Sequence, residues 1–104
     1  MTTMKRKLPS DYLKQGWCQD RYARNKNGDD VEVGNQDACL WCLYGAIYLS
    51  VGQGTLSVEE LFHLQVWLNN HRYSSEWQDA PERTQEEVVA VMLEAEATVL
   101  GSTT

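Results

Sequence analysis

From Cys39 to Val51 nearly every position is apolar, and plotted at about 100° per residue Cys39, Leu40, Trp41, Leu43, Ile47, Leu49 and Val51 point in almost every direction. A helix that is apolar all round belongs at the centre of a fold. The pattern predicts such a helix over 37–51, N-capped by Asn35 or Asp37. Gly45 sits in its middle, where Gly costs about 1 kcal/mol relative to Ala. It therefore marks a point where a neighbouring backbone or ring packs close.

Two later stretches have helical spacing and marked starts. Ser57-Val58-Glu59-Glu60 is a capping box opening a helix over 58–72, with Leu61, Leu64 and Leu68 on one stripe. Phe62, Val66 and Tyr73 form a second stripe roughly 140° away, which predicts contact with two layers, or with one layer and a partner. Thr84-Gln85-Glu86-Glu87 is another capping box, and Val88, Val91, Met92, Ala95 and Val99 carry a helix over 85–99. Upstream, Pro9 with Ser10 and Asp11 opens a short helix to about Gln15, stopped by Gly16. Asn27-Gly28 is a strong hairpin signal because both residues tolerate positive φ, and Tyr22, Val31 and Val33 flank it, so residues 20–25 are predicted to pair with 30–33.

These elements define an α+β fold, mainly α: a central apolar helix packed by two further helices, with one β-hairpin over one side. A single domain spans 9–100, between a flexible basic arm at 1–8 and a flexible tail at 101–104. Leu40, Leu43, Ile47, Leu64 and Val91 are expected in the core, each contributing about 1.5–3 kcal/mol.

Composition bounds the function. A chain of 104 residues, 42% hydrophobic and 23% charged, has the make-up of one ordinary globular domain. The apolar run ends at Gly52, short of the roughly 20 residues a membrane span needs. Lys5, Arg6 and Lys7 lead into Leu8-Pro9-Ser10-Asp11 rather than an apolar stretch, so no secretory signal is read and a cytoplasmic location is expected. The net charge of −6 argues against direct binding to nucleic acid. It is also polarised: residues 1–26 hold seven basic and two acidic residues, and the remainder two basic and thirteen acidic.

Candidate chemistry is sparse. Cys39-Leu40-Trp41-Cys42 is a CxxC that could join Cys18 and His63 or His71 in a zinc site. Placed inside an apolar helix, it reads instead as core thiols, and no metal or cofactor is expected. No Ser lies in a recognisable relay with His and Asp, and no Gly-rich phosphate loop is present. Between Glu76 and Glu96 the acids at 76, 79, 82, 86, 87, 94 and 96 face only Arg83. They read as a solvated helix face, or as an acidic docking surface for a basic partner. Trp77, Asp79, Arg83 and Thr84 form a compact polar and aromatic set, used structurally or as a small-molecule or catalytic site.

Three motifs in order carry a resemblance: Gly16-Trp17 with Ala23-Arg24 and Gly28; Trp41-Cys42-Leu43-Tyr44-Gly45-Ala46; and Trp77-Gln78-Asp79 with Arg83-Thr84 and Glu87-Val88. Over about residues 15–95 the chain resembles an uncharacterised family of small bacterial and phage proteins, a domain of unknown function in which Asn is more usual at the position of Gln78. The resemblance implies a compact domain and allows a phage origin, but it brings no catalytic or binding residues.

The expected function is a non-enzymatic protein-binding protein. Its contact residues would be Glu76, Asp79, Glu82, Glu86 and Glu87 with Phe62, Val66 and Tyr73, and its partner the basic surface of a host protein or protein–nucleic acid complex. A phage-encoded inhibitor of the anti-CRISPR kind is one form of this reading. A cellular adaptor, and a small-molecule-binding or catalytic domain around Trp77–Thr84, are the alternatives.

Overall fold

A computed structural model of the chain describes residues 6–101. Its elements are α1 (Pro9–Gln15), β1 (Ala23–Arg24), β2 (Leu40–Trp41), α2 (Leu43–Gly52), α3 (Val58–Asn70), α4 (Ser75–Gln78) and α5 (Gln85–Val99). The fold is α+β and mainly α. No helix among the described residues is long and apolar enough to cross a membrane.

The central helix is α2, in which Leu43, Tyr44, Gly45, Ala46, Ile47, Leu49 and Ser50 are all buried. It packs on α1, α3 and α4. Ser50 is tolerated in this apolar setting because its hydroxyl donates to Ala46 O at 2.9 Å. Of the expected core residues Leu43, Ile47 and Leu64 are fully buried and Val91 nearly so, whereas Leu40 is half-buried.

The helix starts six residues later than its apolar run suggests. Cys42 is extended (φ −86°, ψ 175°) and caps α2, its Sγ accepting the Gly45 N–H at 3.2 Å. Asn35 and Asp37 do not cap it; the Asn35 side chain accepts the Asp37 N–H at 2.7 Å and closes a turn of its own. Leu40 and Trp41 form a strand. Unbroken apolarity is shared by buried helices and buried strands, so periodicity alone does not separate them.

That strand also changes the hairpin. The chain turns at Asn27-Gly28, but only Gly28 takes a positive φ, 85°, and its N–H donates to Asn25 O at 2.9 Å, so the turn spans 25–28 with Lys26 and Asn27 at its centre. Asn25 Oδ1 tightens it by accepting from Asn27 N at 2.9 Å and Asp29 N at 3.0 Å. Yet the strand paired with β1 is β2, antiparallel, with Ala23 opposite Trp41 and Arg24 opposite Leu40. Residues 30–33 add only an Arg24–Asp30 bridge and the bond from Val31 N to Ala23 O. Trp41 is buried whereas 30–33 lie exposed or half-buried, so the apolar segment takes the inner position.

Long-range contacts fix the first helix and the residues before it, among them the bond from Gln85 Nε2 to Leu13 O at 2.7 Å. Residues 1–5 of the expected arm and 102–104 of the expected tail lie outside the described residues, but Arg6 is held by Glu60, Nη1 donating to Oε1 and Nη2 to Oε2, each at 3.1 Å. Leu8, at the N-cap of α1, has no side-chain acceptor to offer, and the Ser10 N–H in the first turn donates instead to Glu96 Oε2 of α5 at 2.8 Å. Ser10 Oγ donates to Glu96 Oε1 at 2.7 Å. Glu96, expected in an acidic surface, is thus a buried remote cap that joins α1 to α5. Burial raises its pKa and Asp11 adds to the rise, while the Ser10 bonds and Lys14 oppose it.

Two tests follow from this packing. A Cβ at Gly45 would fall on the carbonyl of Tyr22. Gly45→Ala, which in an open helix stabilises by about 1 kcal/mol, should here destabilise by about 1–3 kcal/mol in urea unfolding, as overpacking does. A gain in stability would show that the β1 segment moves aside. For Glu96, the folded protein holds the carboxyl proton more tightly than the unfolded chain. Its contribution to stability is therefore present below about pH 4.5 and is lost as pH rises through the raised folded pKa. Glu96→Gln should flatten the stability profile just above pH 4.5, and an unchanged slope would assign that pH dependence to other carboxylates.

Candidate functional site

The site is built on one buried amide. Trp17 and Trp41 form a parallel bridge, with Trp41 N donating to Gly16 O and Cys18 N to Trp41 O, each at 3.1 Å. In a parallel ladder the next rung would join Leu43 N to Cys18 O. The Gln78 side chain occupies that rung. Leu43 N donates to Gln78 Oε1 at 2.9 Å, and Gln78 Nε2 donates to Cys18 O at 3.2 Å. The amide, 1% exposed, stands in for a peptide group between two chain segments. Its remaining capacity is used by Trp17 Nε1, which donates to Oε1 at 2.5 Å, and by Asp79 Oδ1, which accepts from Nε2 at 2.7 Å. Both donors of the amide and two lone pairs of its carbonyl oxygen are engaged.

This anchoring shapes the adjoining surface. Asp79 Oδ1 also accepts the Asp20 N–H at 2.9 Å, and Asp20 is held in the left-handed region at φ 69°, which Asp tolerates. The following residue, Arg21, donates through Nη1 to Asp20 O at 2.7 Å. Tyr22 then presses its carbonyl against Gly45 and accepts the Cys42 N–H at 3.1 Å. With its backbone pinned, the Tyr22 side chain stands 57% exposed, edge-on to Tyr48 at 5.6 Å.

Tyr22 borders three recesses. One is a cleft of about 420 Å³ lined also by Asp20, Arg21, Asp30, Cys42, Ser75 and Asp79. A second, of about 430 Å³, has Tyr44, Tyr48, Gln65, Asn69 and Glu76 in its wall. The third runs along Asp30, Glu32, Val33 and Tyr48. Gln65 donates to the Tyr48 hydroxyl at 2.9 Å, linking this face to α3. On that helix Phe62 is 60% and Val66 40% exposed.

Cys18 and Cys42 are buried, whereas Cys39, expected as a core thiol, is only half-buried. The CxxC lies at a strand-to-helix junction and not inside a helix, but Leu40 and Trp41 are extended. Residues three apart in a strand point to opposite faces and are separated by roughly 10 Å, beyond the reach of a disulfide. Burial pushes the Cys18 thiol up to about 12 and raises Cys42 as well, so neither is a ready thiolate near neutral pH. Among the described residues no group of three or more His, Cys, Asp or Glu is placed to hold a metal ion.

The acids and aromatics picked out from the sequence are divided among several local settings. Glu76 and Asp79 line recesses beside Tyr22. Glu82 and Glu86 are exposed, and Glu86 lines a different groove, with Lys14 and Leu93. Glu87 closes the α5 capping box, accepting from Thr84 N at 2.9 Å; that bond leads the lowering of its pKa, to which Arg83 adds. Phe62 and Val66 are exposed as expected, but Tyr73 leaves their stripe. The helix ends at Asn70, Arg72 turns the chain at φ 67°, and Tyr73 packs half-buried against Trp77 at 4.8 Å. Trp77 and Arg83 pair with each other, the guanidinium 4.1 Å over the ring, while Asp79 faces Asp20 and Gln78, so the Trp77–Thr84 set is divided between two uses.

Sequence reasoning missed Tyr22, Tyr48, Asp20, Asp30 and the role of Gln78. The available signal was the joint presence of Gly16-Trp17 and Trp77-Gln78-Asp79, whose polar atoms meet across the fold. The chain belongs to a family of unknown function, DUF6197, whose model matches residues 10–98. No curated protein and no solved structure matches it.

The amide generates a sharp expectation. Gln78→Leu keeps the volume but leaves Leu43 N, Cys18 O and Trp17 Nε1 without this partner, at about 1–3 kcal/mol for each buried group. Urea unfolding should show a loss of at least about 3 kcal/mol. The Trp17 indole N–H resonance should shift as its acceptor disappears. Stability within about 1 kcal/mol of the parent would mean that water replaces the amide.

Proposed function

We propose that this member of a family of unknown function is a non-enzymatic protein-binding domain whose docking face is centred on Tyr22, Phe62 and Val66 and whose partner presents a basic surface. The observation that carries the reading is the exposure of three large apolar side chains, 57%, 60% and 40%, along one connected path. Tyr22 stacks edge-on to Tyr48, Tyr48 receives the Gln65 amide, Gln65 follows Phe62 at i, i+3, and Val66 follows Phe62 at i, i+4.

Charge defines the partner. Asp20, Asp30, Glu32 and Glu76 border the recesses around Tyr22, and Glu59 shares the helix face of Phe62 and Val66. Arg21 is already paired with Asp30 at 3.4 Å. An apolar centre with an acidic rim suits a basic protein surface: the aromatics supply affinity and the rim charges speed encounter. Proteins that handle nucleic acid carry such basic surfaces, and covering one would compete with the nucleic acid it holds. The Tyr22 side is preferred to the one with Glu82, Glu86 and Glu87 because it carries the exposed aromatics, and because Glu87 is engaged in its helix cap.

A photo-crosslinking residue placed at Phe62, and separately at Leu93 as a control on α5, tests the face in lysate of the encoding organism. Adducts from position 62 and none from 93 are expected, with a partner whose affinity falls as salt rises. Tyr22→Ala and Phe62→Ala should each weaken that partner about tenfold or more, with stability changed by less than about 0.5 kcal/mol. Adducts only from position 93, or an affinity indifferent to salt, would move the interface elsewhere.

A further inference from the structure

We infer that the cleft beside Tyr22 is a subsite for an arginine side chain of the partner, an inference that rests on the docking reading above. The cleft, about 420 Å³, brings together Asp20, Asp30 and Asp79 with Ser75 and the Tyr22 ring. Three carboxylates face one guanidinium there, that of Arg21. The two bonds that fix Asp79, from Asp20 N and Gln78 Nε2, both fall on Oδ1, so Oδ2 keeps its lone pairs for a ligand. The acceptors are also held in place before binding, because Asp20 and Asp79 are tied to each other and to the buried Gln78 amide.

The chain's own arginines show what these groups accept. At the mouth of the cleft Arg21 Nη1 donates to Asp20 O at 2.7 Å, and its Nε lies 3.4 Å from Asp30 Oδ2. A guanidinium therefore already uses two of the cleft's acceptors. The Arg21 and Asp30 side chains are 53% and 62% exposed, so that pair is weak and gives way readily to a competitor. Elsewhere Arg83 lies 4.1 Å over the Trp77 ring, donates from Nε to Trp77 O at 2.9 Å and reaches Glu87 at 3.4 Å. Aromatic ring, carbonyl and carboxylate are the same three components that Tyr22, Asp20 O and Asp79 present in the cleft. A planar guanidinium lies flat on a ring while forking to oxygens, whereas the compact ammonium of lysine uses the ring less well, so arginine is the preferred cation.

The probe is N-acetyl-L-arginine amide, titrated into the full chain and followed by two-dimensional amide NMR. The shifts should concentrate on Asp20, Arg21, Tyr22 and Asp79. The lysine analogue should bind at least about threefold more weakly, and the neutral isostere N-acetyl-citrulline amide should leave the spectrum unchanged. Arg21→Ala removes the internal competitor and should tighten binding about threefold, while Asp30→Asn and Asp79→Asn should each weaken it about fivefold. Asn at 79 retains an oxygen for Asp20 N, so that variant keeps the fold. Equal binding of citrulline, shifts spread to Glu82 and Glu86, or weaker binding by Arg21→Ala would each overturn the inference. If the probe fails to bind while Tyr22→Ala and Phe62→Ala still weaken the crosslinked partner, the subsite is wrong and the docking face stands. If the probe binds but the partner is indifferent to Asp79→Asn, the cleft lies outside the interface and the inference falls with it.

Discussion

The primary amide of Gln78 is the constraint on which the site depends. It lies where two chain segments far apart in sequence would otherwise have to hydrogen-bond directly, and it satisfies Leu43 N and Cys18 O while accepting the Trp17 indole N–H. Each of those groups would be expensive to bury alone. The amide can stand in for a peptide because it carries the same donor and acceptor, and α4 delivers it from a helix of only four residues. So short a helix has little stability of its own. Its position is set by Ser74, which caps it, and by the bonds its last residue makes to the rest of the fold.

The surface inherits its shape from that interior. Gln78 fixes Asp79, Asp79 fixes the backbone of Asp20, and two residues later the carbonyl of Tyr22 lies on Gly45, in the middle of α2, where a side chain would collide with it. Moving any member of this series displaces the ring of Tyr22. An exposed aromatic on a pinned backbone loses less freedom on binding than one on a mobile loop, which favours its use as an anchor. A similar economy operates at α1, where Leu8 supplies no cap and the carboxylate of Glu96 serves from the far end of the chain.

What was legible in the sequence follows from the range of the interactions involved. The capping boxes at Ser57 and Thr84 were readable because every participating atom lies within four residues. Gly45 could be read as a close approach because Gly inside an apolar helix requires a reason, and the Tyr22 carbonyl supplies it. The start of α2 was not readable, since Cys39-Leu40-Trp41 is as apolar in a strand as in a helix, and the pairing that decides the matter comes from Ala23 and Arg24. The candidate face was the least legible part. Tyr22, Tyr48 and Gln65 come from three segments and have no common spacing, and Tyr73 matched a helical period that Arg72 breaks with a positive φ.

The net charge of −6 gives a misleading picture of where acid is available. Asp11 accepts from Leu8 N, Glu60 is held by Ser57 N and Arg6, Glu87 by Thr84, Asp79 by Asp20 and Gln78, and Glu96 by Ser10. These five carboxylates serve backbone donors, and three of them close the starts of α1, α3 and α5. Hydrogen bonds lower the pKa of Glu60 and Glu87, as expected for charges already used by the fold. The acids left to face a partner include Asp20, Asp30, Glu32, Glu59 and Glu76, which border Tyr22 or share the helix face of Phe62 and Val66. Counting acids along the chain points to the stretch after Glu76, where they are densest. Subtracting those consumed by caps and anchors leaves Glu82, Glu86 and Glu94 exposed on one side and the acids around Tyr22 and Phe62 on the other, and only in the second group do exposed carboxylates coincide with exposed aromatics.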